Sequence, residues 1–375
     1  RRTNKMNIKT IAILLPCWLI LLCLSGCGHK PYARQYKIAL VHSYEEGYPD
    51  AERTRRLLCE ALAKRGLSCD FREYFLNCDG LLSDKEEEFC SDFIDDFTRW
   101  GAHLVAVLDD QATYSLMACG NPLLHDLPVV FSGVNYPNRQ LLERYPNVTG
   151  YADAPDYLNT VRMLERVMGK SRVCVINRNN VLDRFIWEDL MTQFDGQGYE
   201  IYCGRVGMHV STHRKLGDDL PSLVPGVNWE NERFDTTAIV RLNSDSLSLT
   251  QVAWTGYGSR TLCLFTHRNF ITVHSASFFQ NPCFATVNKG FGLSDYALGG
   301  YFATIETQLD DMGQGIAERL RGRMPAEQVR YCAKRYVVNW HVLQRYGIPL
   351  SCIPKEYTIM YMPFTAVSYT HLRAH

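Results

Sequence analysis

The sequence predicts an α/β protein of two consecutive Rossmann-like lobes, each with a doubly wound sheet, joined by a hinge that leaves a cleft between them. The length of 375 residues suits two domains of about 100–200 residues each. An apolar fraction of 46% supplies enough material for two cores. Short apolar runs typical of strands alternate with helical patterns along most of the chain. This alternation favours parallel sheets covered by helices.

The N-terminal lobe is predicted over residues 37–150. Ser83 is expected to begin one of its helices, because Glu86 follows at the spacing of a capping box. Gly66 is expected to end another helix. The predicted elements alternate between strand and helix in the order 37–42, 50–65, 67–75, 83–100, 104–108, 113–118 and 128–131.

The C-terminal lobe is predicted over residues 151–330, where the same alternation restarts. Its strands are expected over 173–176, 199–203, 237–242 and 261–265. Its helices are expected over 156–168 and 183–194, with a long helix from about Gly299 to Arg321 closing the lobe. Residues 331–364 are expected to return to the hinge and to continue as a C-terminal linker, with a strand over 336–339.

Residues 1–29 have the pattern of an export leader. Basic residues among the first nine precede an apolar run over 11–24, which is shorter than the roughly 20 residues that a spanning helix needs. Leu24 to Cys27 resembles a lipobox, in which the cysteine is lipidated. A lipoprotein, a cleaved signal and a retained anchor are the three alternatives. Each predicts an extracytoplasmic chain, and lipidation or retention of the leader would anchor it to the membrane. Residues 366–375 resemble a translated sequencing-adapter tail, so we expect them to be non-native.

Charge and cysteine content narrow the class of protein. Lys plus Arg and Asp plus Glu are 40 each, so the net charge is zero and no basic excess indicates a nucleic-acid partner. The 14 cysteines are scattered without a C-x-x-C pair. We therefore predict no metal site, and we expect most of the cysteines outside the leader to be free and buried, as small apolar residues.

Catalytic motifs are missing from the sequence. It contains no G-x-S-x-G, H-E-x-x-H, Walker loop or dinucleotide fingerprint. The adjacent carboxylates Asp109 and Asp110 would point to opposite faces of a strand, so they do not form an acid–base couple. The sequence thus favours binding without chemistry and without a cofactor. An enzyme that uses the interlobe cleft is a remote alternative.

Five segments, in matching order, resemble the ABC-transporter substrate-binding-protein-like family, which has the type I periplasmic binding protein fold. They begin at Leu40, Leu127, Pro146, Gly292 and Tyr336, and read LVHSY, LPVVFSGVN, PNVTGY, GLSDY and YVVN. The first two are most similar to the sensor domains of bacterial two-component histidine kinases, as is the segment over 347–364.

This resemblance implies a receptor that closes around a small molecule. As the N-terminal part of a truncated sensor, it would pass closure across the membrane to a histidine kinase module in cis. As a lipid-anchored substrate-binding protein, it would deliver its ligand to an ABC permease in trans. The lipobox-like leader fits this second alternative at least as well.

Ligands of doubly wound sheets lie at the carboxyl ends of the strands. The polar and aromatic residues expected there suit an amino acid or a similar polar metabolite. Asp109 and Ser132 also stand at strand ends, where helix capping is an equally good explanation. His42 is more typical of a satisfied interior histidine. The predicted ligand-binding residues are Ser43, Tyr44, Tyr48, Asp110, Gln111, Gly133, Asn135, Asn177, Arg178, Arg241, His267, Asp295 and Tyr296.

Overall fold

The computed structural model describes residues 35–48, 50–78, 83–178, 181–199, 201–206, 260–265, 283–288 and 297–363. The strands are β1 (Gln35–His42), β2 (Ser68–Phe75), β3 (Leu104–Leu108), β4 (Val129–Val134), β5 (Val148–Ala152), β6 (Ser171–Arg178), β7 (Ile201–Val206), β8 (Arg260–Phe265), β9 (Cys283–Phe284), β10 (Ala297–Phe302), β11 (Val329–Tyr331), β12 (Arg335–Asn339) and β13 (Thr358–Met360). The helices are α1 (Ala51–Lys64), α2 (Ser83–Trp100), α3 (Asp109–Ala118), α4 (Arg139–Glu143), α5 (Tyr157–Met168), α6 (Val181–Phe194), α7 (Ile305–Leu320) and α8 (Trp340–Arg345).

The first sheet has six strands in the order β11-β5-β4-β3-β1-β2, and every neighbouring pair is parallel. Its central strands β3 and β4 are buried at all but one position, as expected for a sheet covered on both faces. Side chains on one face pack with Phe97 and Tyr114, from α2 and α3. Those on the other face pack with Leu58 of α1 and Met312 of α7. The predicted doubly wound α/β lobe is therefore confirmed.

The second sheet has seven strands in the order β13-β12-β10-β9-β8-β6-β7. Its pairs are parallel except β10 with β12, which is antiparallel. Leu164 of α5 and Leu190 of α6 pack with the strand residue Val173 in the core of this lobe. The strand predicted over 237–242 lies outside the described residues.

The segment predicted as one helix from Gly299 to Arg321 is a strand followed by a helix, which corrects the prediction. Gly299 and Gly300 lie inside β10, where a Cβ atom would collide with the carbonyl oxygens of Val337 and Ala285 respectively. Glycine is generally unfavourable in strands, so a sequence pattern that contains two glycines did not indicate strand β10. Gly299 and Gly300 allow the backbones of the neighbouring segments to approach closely. The local sequence pattern does not show these contacts.

Helix α7 also belongs to a different lobe from the one predicted. Its apolar residues pack with Ile38 and Leu40 of the first sheet, and Gly313 lies directly against Ala61 of α1. Strand β11 likewise pairs with β5. The assignment of 151–330 to a single C-terminal lobe is therefore corrected at both ends. Residues 151–152 and 305–331 complete the first lobe.

The chain crosses between the two sheets three times. The crossings follow β5 at residues 153–156, β10 at residues 303–304, and β11 at residues 332–334. They lie together, because Tyr151, Ala303 and Cys332 form one buried cluster. Three adjacent connections of this kind form the predicted hinge region. Among the described residues, no helix is long and apolar enough to cross a membrane.

Candidate functional site

A small cavity of about 50 Å³ lies at the carboxyl edge of the first sheet, beside the crossing segments. It lies between the ends of β1 and β3 and the first turns of α1 and α7. Ligand sites in such sheets are expected at this edge. The lining residues are His42, Tyr44, Glu45, Tyr48, Asp50, Ala51, Thr54, Leu108, Asp109, Asn288, Ile305, Gln308 and Leu309.

Two predicted residues, Tyr44 and Tyr48, form an aromatic face on this cavity. They lie in the loop between β1 and α1, and their rings are stacked with centroids 4.5 Å apart and planes at 19°. The backbone N–H of Tyr48 donates to the carbonyl oxygen of Glu45 at 3.0 Å, which turns the loop back on itself. The pair offers an aromatic surface to a ligand in the cavity.

Asp109 and Gly133 meet at the ends of β3 and β4, and both have left-handed backbone conformations. The φ angle is 71° for Asp109 and 76° for Gly133. A Cβ atom on Gly133 would lie 2.7 Å from Oδ1 of Asp109, so the glycine leaves room for this carboxylate. A non-glycine residue in this region costs of order 1–3 kcal/mol, and such strain is found most often at functional sites. Asp109 thus lines the candidate cavity, although its position at a strand end made helix capping an equally good explanation.

Asp110 and Ser43 lie near the cavity, but their polar atoms hold the loops together. The Asp110 carboxylate accepts backbone hydrogen bonds from Asn135 at 3.0 Å and Tyr136 at 3.2 Å. Ser43 is 1% exposed; its hydroxyl donates to the carbonyl of Leu108 at 2.8 Å and accepts from the N–H of Ala112 at 2.9 Å. Both residues therefore shape the site rather than line it.

Three other positions named from the sequence have defined surroundings. Gln111 faces α2, with Nε2 3.4 Å from the buried Glu86 carboxylate. Asn135 is half-buried in the loop after β4. His42 is buried; its Nε2 lies 3.2 Å from Oε2 of Glu73 and its ring stacks on Phe75. This is the satisfied interior histidine that the sequence favoured, although its ring also reaches the cavity.

The remaining predicted ligand residues belong to the second lobe. Asn177 and Arg178 are the last two residues of β6, at the carboxyl edge of the second sheet. Arg241, His267, Asp295 and Tyr296 lie outside the described residues, as does Cys27. The structure thus brings Tyr44 and Tyr48 together and leaves the second-lobe assignments as predictions.

A buried carboxylate, Asp153, links the three crossings. It is 1% exposed; one oxygen accepts from Nε2 of Gln308 at 2.9 Å and the other lies 3.4 Å from the N–H of Ala303. Burial raises the pKa of Asp153 to about 7, partly offset by the Ala303 N–H and by Lys334 on the third crossing, while Asp110 raises it further. Gln308 also lines the cavity, so one side chain joins the candidate site to the hinge.

Tyr136 connects the two lobes, and the sequence pattern did not single it out. It follows β4, and its hydroxyl lies 2.6 Å from that of Tyr157 at the start of α5. Its ring lies 6.0 Å from that of Phe185 on α6. Burial is the main cause that raises the pKa of the Tyr136 hydroxyl well above its usual value, and the neighbouring Tyr157 raises it further. The predicted ligand-binding residue Asn135, which precedes Tyr136 directly, was the only indication in the sequence that this loop matters.

Several of the described cysteines are free thiols, as the sequence predicts. Cys332 is free and buried, as predicted, whereas the free thiols Cys59 and Cys69 are half-buried and Cys352 is exposed. Burial raises the pKa of Cys69 to about 11, and raises that of Cys332 further, so both stay protonated and unreactive near neutral pH. Within the described ranges, no group of three His, Cys, Asp or Glu side chains could hold a metal ion.

The chain forms two mainly parallel sheets that are joined by three crossings, and a cavity lies at the carboxyl edge of the first sheet. This arrangement is the two-lobed fold of periplasmic binding proteins. Comparison with solved structures agrees. An ABC domain from Streptococcus pneumoniae in complex with L-Trp matches with a TM-score of 0.56 and 16% identity, over 87% of this chain and 99% of that chain. A conserved domain protein from Vibrio cholerae O1 matches with a TM-score of 0.57 and 14% identity, over 86% and 99%.

A third similar structure is the ligand-free, open form of a substrate-binding protein with adhesive properties from Clostridium difficile. Its TM-score is 0.56 at 14% identity, over 88% of this chain and all of that chain. No family model and no curated protein matches the sequence. At these identities the comparisons show the fold, which is the type I periplasmic-binding-protein-like fold that the sequence predicted.

Proposed function

We propose that this protein is an extracytoplasmic receptor that binds a small molecule between its lobes and releases it chemically unchanged. The observation that carries the proposal is the cavity at the carboxyl edge of the first sheet. A stacked tyrosine pair lines this cavity together with Asp109, whose backbone is in the left-handed conformation. An aromatic face and one polar anchor are a common arrangement for recognising a small polar ligand.

The size of the cavity indicates how a ligand enters. Sites for small molecules have volumes of roughly 300–1,000 Å³, whereas the described lining encloses about 50 Å³. A ligand therefore needs the lobes to move apart first and to close on it afterwards. Closure is stabilised only by the extra affinity of the ligand for the closed form.

The contacts around the crossings provide a structural basis for this motion. Tyr136 of the first lobe meets Tyr157 of the second lobe through their hydroxyl groups, and the three crossings are short. Gln308 reaches both the cavity and the buried Asp153. A ligand that contacts Gln308 would thereby act on the segment about which the lobes rotate.

Two partners are consistent with such a receptor. A substrate-binding protein among the similar structures supports a transport role, with an ABC permease in trans and lipidation at Cys27 as the anchor. The sensor role, with a histidine kinase module in cis, depends on the sequence resemblance over 40–44, 127–135 and 347–364. We place transport first, and both roles need the same binding event.

A thermal-shift screen of the purified full chain tests the proposal. The panel would contain the amino acids, including L-Trp because a similar structure binds it, together with sugars, nucleosides and amines. We expect one class to raise the melting temperature in a saturable manner. The Tyr48→Ala variant should lose most of that shift. Tyr331→Ala, which removes a 55% exposed tyrosine outside the cavity, should keep it.

Mass spectrometry of the ligand after prolonged incubation separates binding from catalysis. Recovery of the unchanged ligand supports a receptor. Conversion of the ligand in proportion to the amount of protein would contradict it, as would equal loss of the shift in both tyrosine variants.

A further inference from the structure

Asp153 lies at the point about which the lobes would rotate. It is the first residue of the first crossing, and its backbone N–H donates to the carbonyl oxygen of Val134 at 2.8 Å. Its side chain is directed to Ala303 on the second crossing and to Gln308 in the first turn of α7. A rotation of the lobes about the crossings therefore changes the surroundings of this carboxyl group.

The hydrogen bonds at Asp153 suit a neutral carboxylic acid better than a carboxylate. Among the described residues, its oxygens face two donors. Nε2 of Gln308 lies at 2.9 Å, whereas the N–H of Ala303 lies at 3.4 Å, which is longer than usual for such a bond. A buried carboxylate needs strong donors to replace the water that it loses. This arrangement therefore favours the protonated acid.

The titratable groups around Asp153 belong to several elements. Asp110, at the start of α3, adds negative charge, and Lys334, on the third crossing, adds positive charge. Cys332 lies on the same crossing beside Asp311 of α7, and burial raises the pKa of its thiol so far that the thiol stays neutral. Burial outweighs the attraction of Lys334 and holds the pKa of Asp153 at about 7.

Lys334 divides its charge between the crossings and the second lobe. Its Nζ lies 5.9 Å from the centre of the Tyr301 ring, and its charge also lowers the pKa of Asp189 on α6, which burial raises. Burial raises the pKa of Tyr151, at the end of β5, to about 12, so this neighbour of the crossings stays neutral. The ionisation of Asp153 is thus only partly offset by the cation nearest to it.

We propose that Asp153 is a proton-operated switch of the hinge. The neutral acid holds the lobes in the compact form, and ionisation favours an open form in which water reaches the carboxylate. Gln308 carries the change to the cavity, which it also lines. This inference deepens the proposed receptor function and rests on it, since opening is the step that admits a ligand. The affinity for a ligand that closure retains should fall as the pH rises.

The sign and the size of the effect follow from the linkage between proton binding and opening. The form with the higher pKa is favoured at low pH and loses this advantage as the pH rises through that pKa. If water lowers the pKa of Asp153 in the open form by one unit from about 7, the ratio of open to compact molecules rises roughly sevenfold between pH 5.5 and pH 8. A larger decrease in pKa gives a larger ratio.

Small-angle X-ray scattering of the ligand-free full chain, at constant ionic strength between pH 5.5 and pH 8, tests the switch. The radius of gyration of the wild type should rise with pH. Asp153→Asn imitates the neutral acid, so its radius should keep the compact value throughout. Asp92→Asn removes a carboxylate that is exposed on α2 and should behave as the wild type. A constant radius in the wild type, or an equal rise in Asp153→Asn, would overturn the proposal.

A second pair of variants tests the position of the transition, which a purely structural role of the hinge would not move. Lys334→Met removes the cation that lowers the pKa of Asp153, so the rise in radius should shift to higher pH. Arg335→Met removes the next, exposed cation and should leave the transition where it is. An equal transition in both variants contradicts the switch, and this comparison does not depend on the folding of Asp153→Asn.

The ligand screen distinguishes failure of this inference from failure of the receptor function. If a ligand class binds saturably but the radius of gyration does not respond to pH, the receptor function survives and the switch is wrong. If the radius responds to pH as expected but no member of the panel binds, the hinge assignment of Asp153 stands and the receptor function fails.

Discussion

Ionisation of Asp153 should make the protein less stable as the pH rises from 5 to 8. The carboxylate is buried where the three crossings meet, and its contacts are the Gln308 amide and the Ala303 N–H, with Lys334 and Asp110 as the nearby charges. Burial raises its pKa to about 7 from 3.8. The folded state therefore binds the proton more tightly than the unfolded state does.

The size of the effect follows from this difference. A group whose pKa is raised on folding contributes stability that is complete below the unfolded pKa and is lost as the pH passes through the folded pKa. One pKa unit corresponds to about 1.4 kcal/mol, so the whole loss is about 4 kcal/mol. The part that falls between pH 5 and pH 8 is about 2.5 kcal/mol.

Urea unfolding of the full chain at several pH values measures this loss. The Asp153→Asn variant cannot ionise at this position, so its free energy of unfolding should fall less with pH. The difference between wild type and Asp153→Asn should change by about 2.5 kcal/mol between pH 5 and pH 8. Asp92→Asn is the control, since its carboxylate is exposed. A change below about 1 kcal/mol for Asp153→Asn would refute the argument that this carboxylate is desolvated at the hinge.

Three further predictions concern the site and the lobe contact. Asp109→Gly should relieve the left-handed strain and raise the free energy of unfolding by about 1 kcal/mol, while ligand binding weakens, as urea unfolding and titration would show. Gly133→Ala should cost at least about 1 kcal/mol more stability than Gly120→Ala, because both have positive φ but only Gly133 faces the Asp109 carboxylate; equal costs would contradict the close contact. Tyr136→Phe removes the hydroxyl bonded to Tyr157, so the open form should gain population by about fivefold, measured as an increased radius of gyration of the ligand-free chain.

The alternation of strands and helices was predictable from the sequence because the central strands are apolar and short. Strands such as Leu104–Leu108 are buried along their whole length, and side-chain caps mark the starts of helices such as Tyr157–Met168 and Ile305–Leu320. The strand Ala297–Phe302 was not predictable in the same way. Its glycines are explained by contacts with Ala285 and Val337, and neither residue belongs to the local sequence pattern of this strand.

The lobe to which α7 belongs could not be predicted from its own residues either. An amphipathic helix shows which face is apolar but not which sheet that face covers. Gly313 shows the difficulty, since its small size is explained only by the contact with Ala61, some 250 residues earlier in the chain. The predicted boundary at residue 330 followed chain order, whereas the chain returns to the first sheet before that point.

At the candidate site, strand ends identified the correct edge of the sheet but not the orientation of each side chain. Asp109 and Asp110 are adjacent, and the strand-end pattern does not show which one lines the cavity. The left-handed conformation of Asp109 and the backbone contacts of Asp110 decide this, and both are properties of the folded chain. The position of Tyr44 and Tyr48 on the cavity was predictable because both follow β1 at the carboxyl edge of the sheet, where ligand sites are expected.

Small-angle X-ray scattering of the full chain, with and without a saturating ligand from the thermal-shift screen, tests the central claim most directly. Mass spectrometry of the same sample would show whether the ligand is unchanged. The account predicts that the radius of gyration falls on saturation, because the lobes close about the three crossings, and that the ligand is recovered intact. A radius of gyration that stays constant at saturation, or a ligand that is converted, would contradict a receptor that works by closing around its ligand.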